Sequence, residues 1–181
     1  MEVKTSCFII MPFSETTEEH TEEYWTSHFD SFLKPLIEEI PNLKAKRSEA
    51  IRGDILRQII HELIVSPIVV AELTDHNPNV FWELGVRQSF KHGTITIAEE
   101  GTRLPFDIGV KATLFYNKEK NNDFGELLNI ALLDCIENPE NTDSHVLETI
   151  TGRGSLYRII NQYETIRCFE GLVSEYKKNL N

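Results

Sequence analysis

Cysteine is scarce in this chain: Cys7, Cys135 and Cys168 stand far apart and odd in number. They suggest no disulfide framework and no metal-ligand spacing, so no metal is expected. A reducing, cytoplasmic compartment is the simplest home. Long apolar runs are also absent. None approaches the roughly 18–20 residues that a spanning helix needs, and residues 1–5 lack the basic-then-apolar start of a secretory signal. Basic residues are few: 18 Lys and Arg face 29 Asp and Glu, a net charge of -11. That balance excludes a general attraction to nucleic-acid polymers or anionic membranes. No glycine-rich nucleotide fingerprint stands out. The stretch 152–155, Gly-Arg-Gly-Ser, follows no expected strand and reads as an interhelical turn.

What is present is a chain of 181 residues with 40% hydrophobic and 26% charged residues. It is long enough to bury a full core. Residues 6–13 form a short apolar run closed by proline, the pattern of a buried strand. A polar, acidic stretch follows. Residues 24–40 then carry apolar positions at helical spacing, with Pro35 predicting a kink or break. Residues 43–48 read as a weak strand and 52–63 as a helix whose start suits Gly53-Asp54. Residues 64–73 hold the most strand-like run, with Pro67 marking its beginning. Asn77-Pro78 reads as a helix cap followed by proline at the first helical position. That helix runs to about Lys91 and stops at Gly93. Residues 94–98 and 111–116 are two further strands. This alternation implies a doubly wound α/β fold, a parallel five-stranded sheet with helices on both faces. Residues 1–120 make up the α/β domain. Residues 121–181 read as a helical extension, either packed on that domain or oligomerising, with helices over 124–136, 144–150 and 155–178.

In an open parallel sheet, ligands bind beyond the carboxyl ends of the strands. Polar groups gather there: Ser14 after the first strand; Arg47, Ser48 and Glu49 after the second; Asp75, His76, Asn77 and Asn79 after the third; Glu99, Glu100 and Arg103 after the fourth. Asn79 and Glu83 are four apart and share a helix face. Glu83 is expected to stay ionised near the positive helix end. An ionised carboxylate in a cleft can attack an anomeric carbon or stabilise an oxocarbenium ion. Gly85 predicts a close approach of its helix to the sheet. Trp82 could line a base pocket, but its large apolar surface makes core packing the expectation. His76 is a loop histidine able to contact a phosphate or act as an acid.

Three stretches carry a family resemblance. They are 8–13 (Phe-Ile-Ile-Met-Pro-Phe), 47–51 (Arg-Ser-Glu-Ala-Ile) and 70–85, which includes Asn-Pro-Asn-Val-Phe-Trp-Glu-Leu-Gly. Together they resemble the nucleoside 2-deoxyribosyltransferase superfamily. The bacterial branch that carries Asn-Pro-Asn-Val-Phe-Tyr-Glu-Leu-Gly is the most similar, and it borders on TIR-like domains. The resemblance covers about residues 6–116 and implies a flavodoxin-like architecture. It implies that Glu83 is the nucleophile that attacks C1′ of the sugar and releases the base. It places Pro12, Phe13 and Ser14 against base and sugar, Glu49 in the acidic position after the second strand, and Asn77 and Asn79 at sugar hydroxyls or a 5′-phosphate. Superfamily transferases commonly carry aspartate where this chain has Asn77.

The resulting expectation is an N-glycosidic-bond enzyme, a hydrolase or a glycosyltransferase. Its substrate is a nucleoside, a nucleotide or NAD, with NAD as substrate rather than resident cofactor. Glu83 works at C1′, and a second carboxylate, Asp54, Asp75 or Glu49, protonates the leaving base. Arg47, His76, Asn77 and Asn79 bind substrate. A homo-oligomer is implied by the resemblance. The alternatives are a TIR-like NAD hydrolase of bacterial defence and a catalytically silent nucleotide-sensing or assembly module.

Overall fold

The structure is a computed structural model that describes residues 5–48, 55–106, 112–119, 123–141 and 143–152. Five strands form one sheet: β1 (Thr5–Ile10), β2 (Leu43–Arg47), β3 (Ile68–Glu72), β4 (Thr94–Glu99) and β5 (Thr113–Tyr116). Their spatial order is β2-β1-β3-β4-β5 and every pairing is parallel. This is the flavodoxin-like arrangement, with its topological switch point between β1 and β3. β3 is buried at every position, as a central parallel strand covered on both faces must be.

Strand alternation sends side chains to two cores. On one face Cys7, Ile9, Ile68, Val70 and Ile97 pack with Trp25, Phe29, Leu33, Leu128 and Leu132. On the other Phe8, Ile10, Val69 and Ala71 pack with Ile59, Leu63, Val80 and Leu84. The first face is covered by α1 (Glu22–Ser27), a π-helical turn (His28–Leu33), α2 (Lys34–Glu38) and α5 (Phe124–Glu137). The second is covered by α3 (Ile55–Val65) and α4 (Pro78–Phe90).

Pro35 has its predicted effect, by widening rather than breaking the helix. Proline cannot donate its missing N–H, and its ring crowds the preceding turn. The turn before it opens, and the Lys34 N–H reaches back five residues to the Phe29 carbonyl. That wide turn buries His28 and Phe29.

The chain divides into two compact units, residues 1–144 and 145–181. α5 therefore belongs to the α/β unit, and Phe124, Leu128 and Leu132 fill its core. This is beyond the expected boundary at residue 120. In the second unit, α6 (His145–Gly152) is the described element. The expected helix over 155–178 lies outside the described residues. Among the described residues, no helix is long and apolar enough to cross a membrane.

Two local expectations on α4 fail. Gly85 does not approach the sheet: a Cβ built there meets nothing within 4 Å. Trp82 is not in the core but 49% exposed. Both residues fall outside the stripe Val80, Glu83, Leu84 and Arg87 that α4 buries. Since glycine in a helix interior only adds backbone entropy to lose, Gly85→Ala should stabilise the protein by about 0.5–1 kcal/mol. Urea denaturation would show the gain, and an unchanged or lower midpoint would argue against an open site.

Candidate active site

Four strands deliver chemistry to the carboxyl edge of the sheet. β3 ends at Glu72, and the chain then turns through a short 3-10 helix, Thr74–His76. Asp75 and His76 both adopt left-handed backbone, φ 63° and 53°. Asp and His are among the few side chains that tolerate this region, and such conformations concentrate at functional loops. Asn77 closes the loop. Its side-chain oxygen accepts from the N–H groups of Asn79, at 3.0 Å, and Val80, at 3.4 Å. The Asn-Pro signature thus does the capping it predicts.

The left-handed turn aims Asp75 towards the α1 side. Asp75 Oδ2 lies 2.6 Å from His20 Nδ1 and accepts from the Thr16 hydroxyl at 2.6 Å. The Trp25 indole N–H donates to Thr16 Oγ1 at 3.1 Å. His20 Nε2 lies 3.4 Å from a Glu99 carboxylate oxygen at the end of β4. The His20 ring leans on Tyr24, centroids 4.3 Å apart.

Beneath this lies a fully buried layer. His28 Nε2 and Glu72 Oε2 are 3.1 Å apart, both side chains without exposure. Glu72 Oε1 accepts from the Thr74 N–H at 3.0 Å and its hydroxyl at 2.5 Å. Thr74 Oγ1 lies 3.4 Å from the Tyr116 hydroxyl and accepts from the Glu99 N–H at 2.8 Å. Burial, followed by the Glu72 charge, pushes the Tyr116 phenol far up, so it stays neutral. The Tyr24 phenol is pushed up by burial and then by Glu99 and Glu72. Such a buried polar layer is costly unless satisfied, and it ties the ends of β3, β4 and β5 together.

Glu83 approaches from the other face. It sits on the second turn of α4, about 8 Å along the axis from the helix start. Only 7% of it is exposed. Its carboxyl has no hydrogen bond or ion pair among the described residues, and burial raises its pKa from 4.5 to about 7. The expected full ionisation is thus corrected. The helix field fades beyond the first turn, and desolvation without a compensating partner wins.

The other expected site residues fare unevenly. Pro12 is buried, while Phe13 and Ser14 are exposed. Arg47 packs its guanidinium over Phe13, 5.3 Å from the ring centroid, and over Phe29 at 5.5 Å. It also donates to the Trp25 carbonyl at 3.3 Å, so it braces the loop after β1 from beneath. Asn77 spends its side-chain oxygen on the helix cap. Asn79, one turn before Glu83 on α4, is exposed while Glu83 is buried. His76 is exposed, its ring 6.1 Å from that of Phe81. Glu49 and Asp54 lie outside the described residues. A cavity of about 460 Å³ opens between β2 and α3, with Lys46, Ser48, Gln58 and His61 on its walls and Phe8 and Ile59 as an apolar floor. Its size suits a small molecule. Glu83 is not one of its described walls.

No protein-family model and no curated protein matches this chain. The site must therefore be read from its own residues. Among the described residues, no group of three or more His, Cys, Asp or Glu side chains is placed to hold a metal ion. What the described residues offer is proton chemistry: on α4 a carboxyl whose pKa burial raises to about 7, and at the end of β3 an imidazole held against a carboxylate.

Sequence reasoning missed His20, His28 and Tyr116. His20 lies in the polar, acidic stretch that follows the first strand, and nothing in its neighbours marks it. Only the fold brings it 55 residues across to Asp75. His28 did leave a trace, since it stands three residues after Trp25 on the stripe that the helix buries. A histidine on a core stripe needs a buried partner.

Proposed function

We propose that this protein breaks an N-glycosidic bond in a nucleoside, a nucleotide or NAD, with Glu83 acting at C1′. The observation that carries this reading is Glu83 itself. A carboxyl so buried, and with no partner among the described residues, is destabilising wherever it must ionise. Perturbed carboxyls of this kind cluster at functional sites. Here the perturbed group is the glutamate that the resemblance over residues 70–85 assigns to the sugar. In that reading the ionised carboxylate bonds to C1′ or shields the positive charge that develops there, and the base leaves with the electron pair of the C–N bond.

The test is incubation of the protein with a panel of nucleosides, nucleotides and NAD, followed by chromatography for free base. Release from at least one substrate, lost in Glu83→Gln, is the expected result. No release from any of them would remove the reading. One observation favours a second reading, a nucleotide-sensing module without turnover. Asn77 replaces the superfamily aspartate and is occupied by the cap of α4. Tight nucleotide binding by a wild type that never releases base would select it.

A further inference from the structure

We propose that His20 is the proton donor to the departing base, with Asp75 as its positioning residue; this rests on the N-glycosidic reading above. The bonding order around Asp75 decides which nitrogen of His20 is available. An indole N–H can only donate, so Trp25 gives its proton to Thr16 Oγ1. The Thr16 hydroxyl then sends its own proton to Asp75 Oδ2, 2.6 Å away. A carboxylate only accepts, so His20 Nδ1, also 2.6 Å from Oδ2, is the nitrogen that keeps a hydrogen. Nδ1 is thereby locked, and Nε2 is left as the nitrogen whose proton comes and goes.

Nε2 has no hydrogen bond among the described residues; the Glu99 oxygen at 3.4 Å is an ion-pair neighbour only. Glu99 is 36% exposed, His20 13% and Asp75 14%, so the chain of groups runs from the interior to an open rim. Tyr24 and Trp25 hold the ring from its sides, with centroids at 4.3 and 5.3 Å. A carboxylate that fixes one imidazole nitrogen so that the other can transfer a proton is a recurring catalytic device.

The reaction balances as follows. The Glu83 carboxylate bonds to C1′ as the C1′–N bond breaks. The base departs with that electron pair and takes the Nε2 proton of His20. Water then cleaves the sugar ester, its hydroxyl staying on C1′ and its proton returning to Nε2. Glu83 and His20 are both restored. His20 therefore matters for bases that must gain a proton to leave, such as purines. It does not matter for a pyridinium such as nicotinamide, which departs already neutral.

The experiment compares wild type, His20→Gln and Asp75→Asn on a purine nucleoside and on nicotinamide riboside. Asn tolerates the left-handed backbone at position 75, so that variant keeps the turn. Expected is a loss of kcat of about 10²–10⁴-fold on the purine substrate, the usual worth of a positioned acid. Nicotinamide release should stay close to wild type. An equal loss on both substrates, or on neither, overturns the role of His20 while the glycosidic reading stands. If wild type releases base from neither, the comparison is made on the purine nucleotide and NAD; no release by wild type from any of the four removes both. Nitrogen-15 NMR of the His20 ring supplies a readout independent of turnover: Nδ1 should carry hydrogen in the neutral ring, and a bare Nδ1 would overturn the assignment.

Discussion

Glu83→Gln will abolish the proposed base release and, above neutral pH, make the protein more stable. The activity loss should be on the order of a thousandfold or more, the scale for removing a group that works at the reacting centre. The stability effect follows from linkage. The Glu83 carboxyl ionises near 4.5 in the unfolded chain and at about 7 in the folded one. Between these values the folded state binds more protons, so stability falls as pH rises. Below pH 4.5 the group is protonated in both states and has no effect. Above pH 7 the folded state must hold a buried charge, at a cost of about 3 kcal/mol. Glutamine avoids that cost. The melting temperature of the variant relative to wild type should therefore climb between pH 4.5 and 7.5, by about 6–12 °C for a unit of this size. Glutamine also brings an unpaired amide, but that penalty does not vary with pH. A difference that stays flat across the range would show that Glu83 is not the isolated buried acid described here. Measured together, the two effects would mark Glu83 as a residue kept for function at the expense of stability.

Arg87→Ala will cost most of the folding free energy. Arg87 is fully buried four residues beyond Glu83 on the same stripe of α4. Among the described residues no carboxylate is hydrogen-bonded to it. Instead its guanidinium donates to the backbone carbonyls of Leu63 at 2.8 Å, Ser66 at 2.7 Å, Pro67 at 3.0 Å, Gly93 at 3.1 Å and His92, and to Thr94 Oγ1 at 3.4 Å. These atoms end α3, lead into β3 and join α4 to β4. One side chain thus supplies partners to the carbonyls of Leu63, Ser66, Pro67 and His92, and a second donor to that of Gly93, which also accepts from the Val69 N–H at 2.9 Å. Removing it leaves the buried Leu63 and Ser66 carbonyls without that partner, at about 1–3 kcal/mol apiece, and strips a donor from the part-buried carbonyls of Pro67 and His92. Losing even two or three consumes much of the 5–15 kcal/mol that holds a typical domain. Burial lowers the Arg87 pKa only to about 10, so the cation survives at physiological pH. Lysine keeps the charge but offers three donors on a flexible stem instead of a rigid fork. Arg87→Lys should therefore recover less than half of the loss in urea denaturation. A mild effect from Arg87→Ala would mean that water or a shifted backbone replaces the fork.

The two α4 residues show how far a sequence carries. The helix was legible from Asn77-Pro78 at its start, and its stop near Gly93 from the glycine, which has φ 84°. The stripe at 80, 83, 84 and 87 has helical spacing, but it contains one acid and one base. Composition alone gives no reason to bury either, and charged residues are mostly exposed. Their burial comes from α3 and the sheet packing over them. Trp82 failed in the opposite sense: its large apolar surface argues for burial, yet its place on the helix turns it outward. The carboxyl edge behaves the same way. Asp75 was expected there, because the turn cluster after β3 is local information. Its partners were not, because Thr16, His20 and Trp25 come from the segment after β1 and meet Asp75 only where β1 lies beside β3.

The amino-acid sequence by itself determined the alternation of strands and helices, the parallel sheet and the loop that follows β3, since hydrophobic period, proline and caps act within a few residues. Tertiary structure alone decided that the Glu83 carboxyl is desolvated, that Asp75 bonds His20, and that Arg87 gathers carbonyls from the end of α3 and from the links into β3 and β4. Desolvation and hydrogen-bond pairing depend on neighbours brought from far along the chain, and those neighbours exist only once the sheet has been assembled.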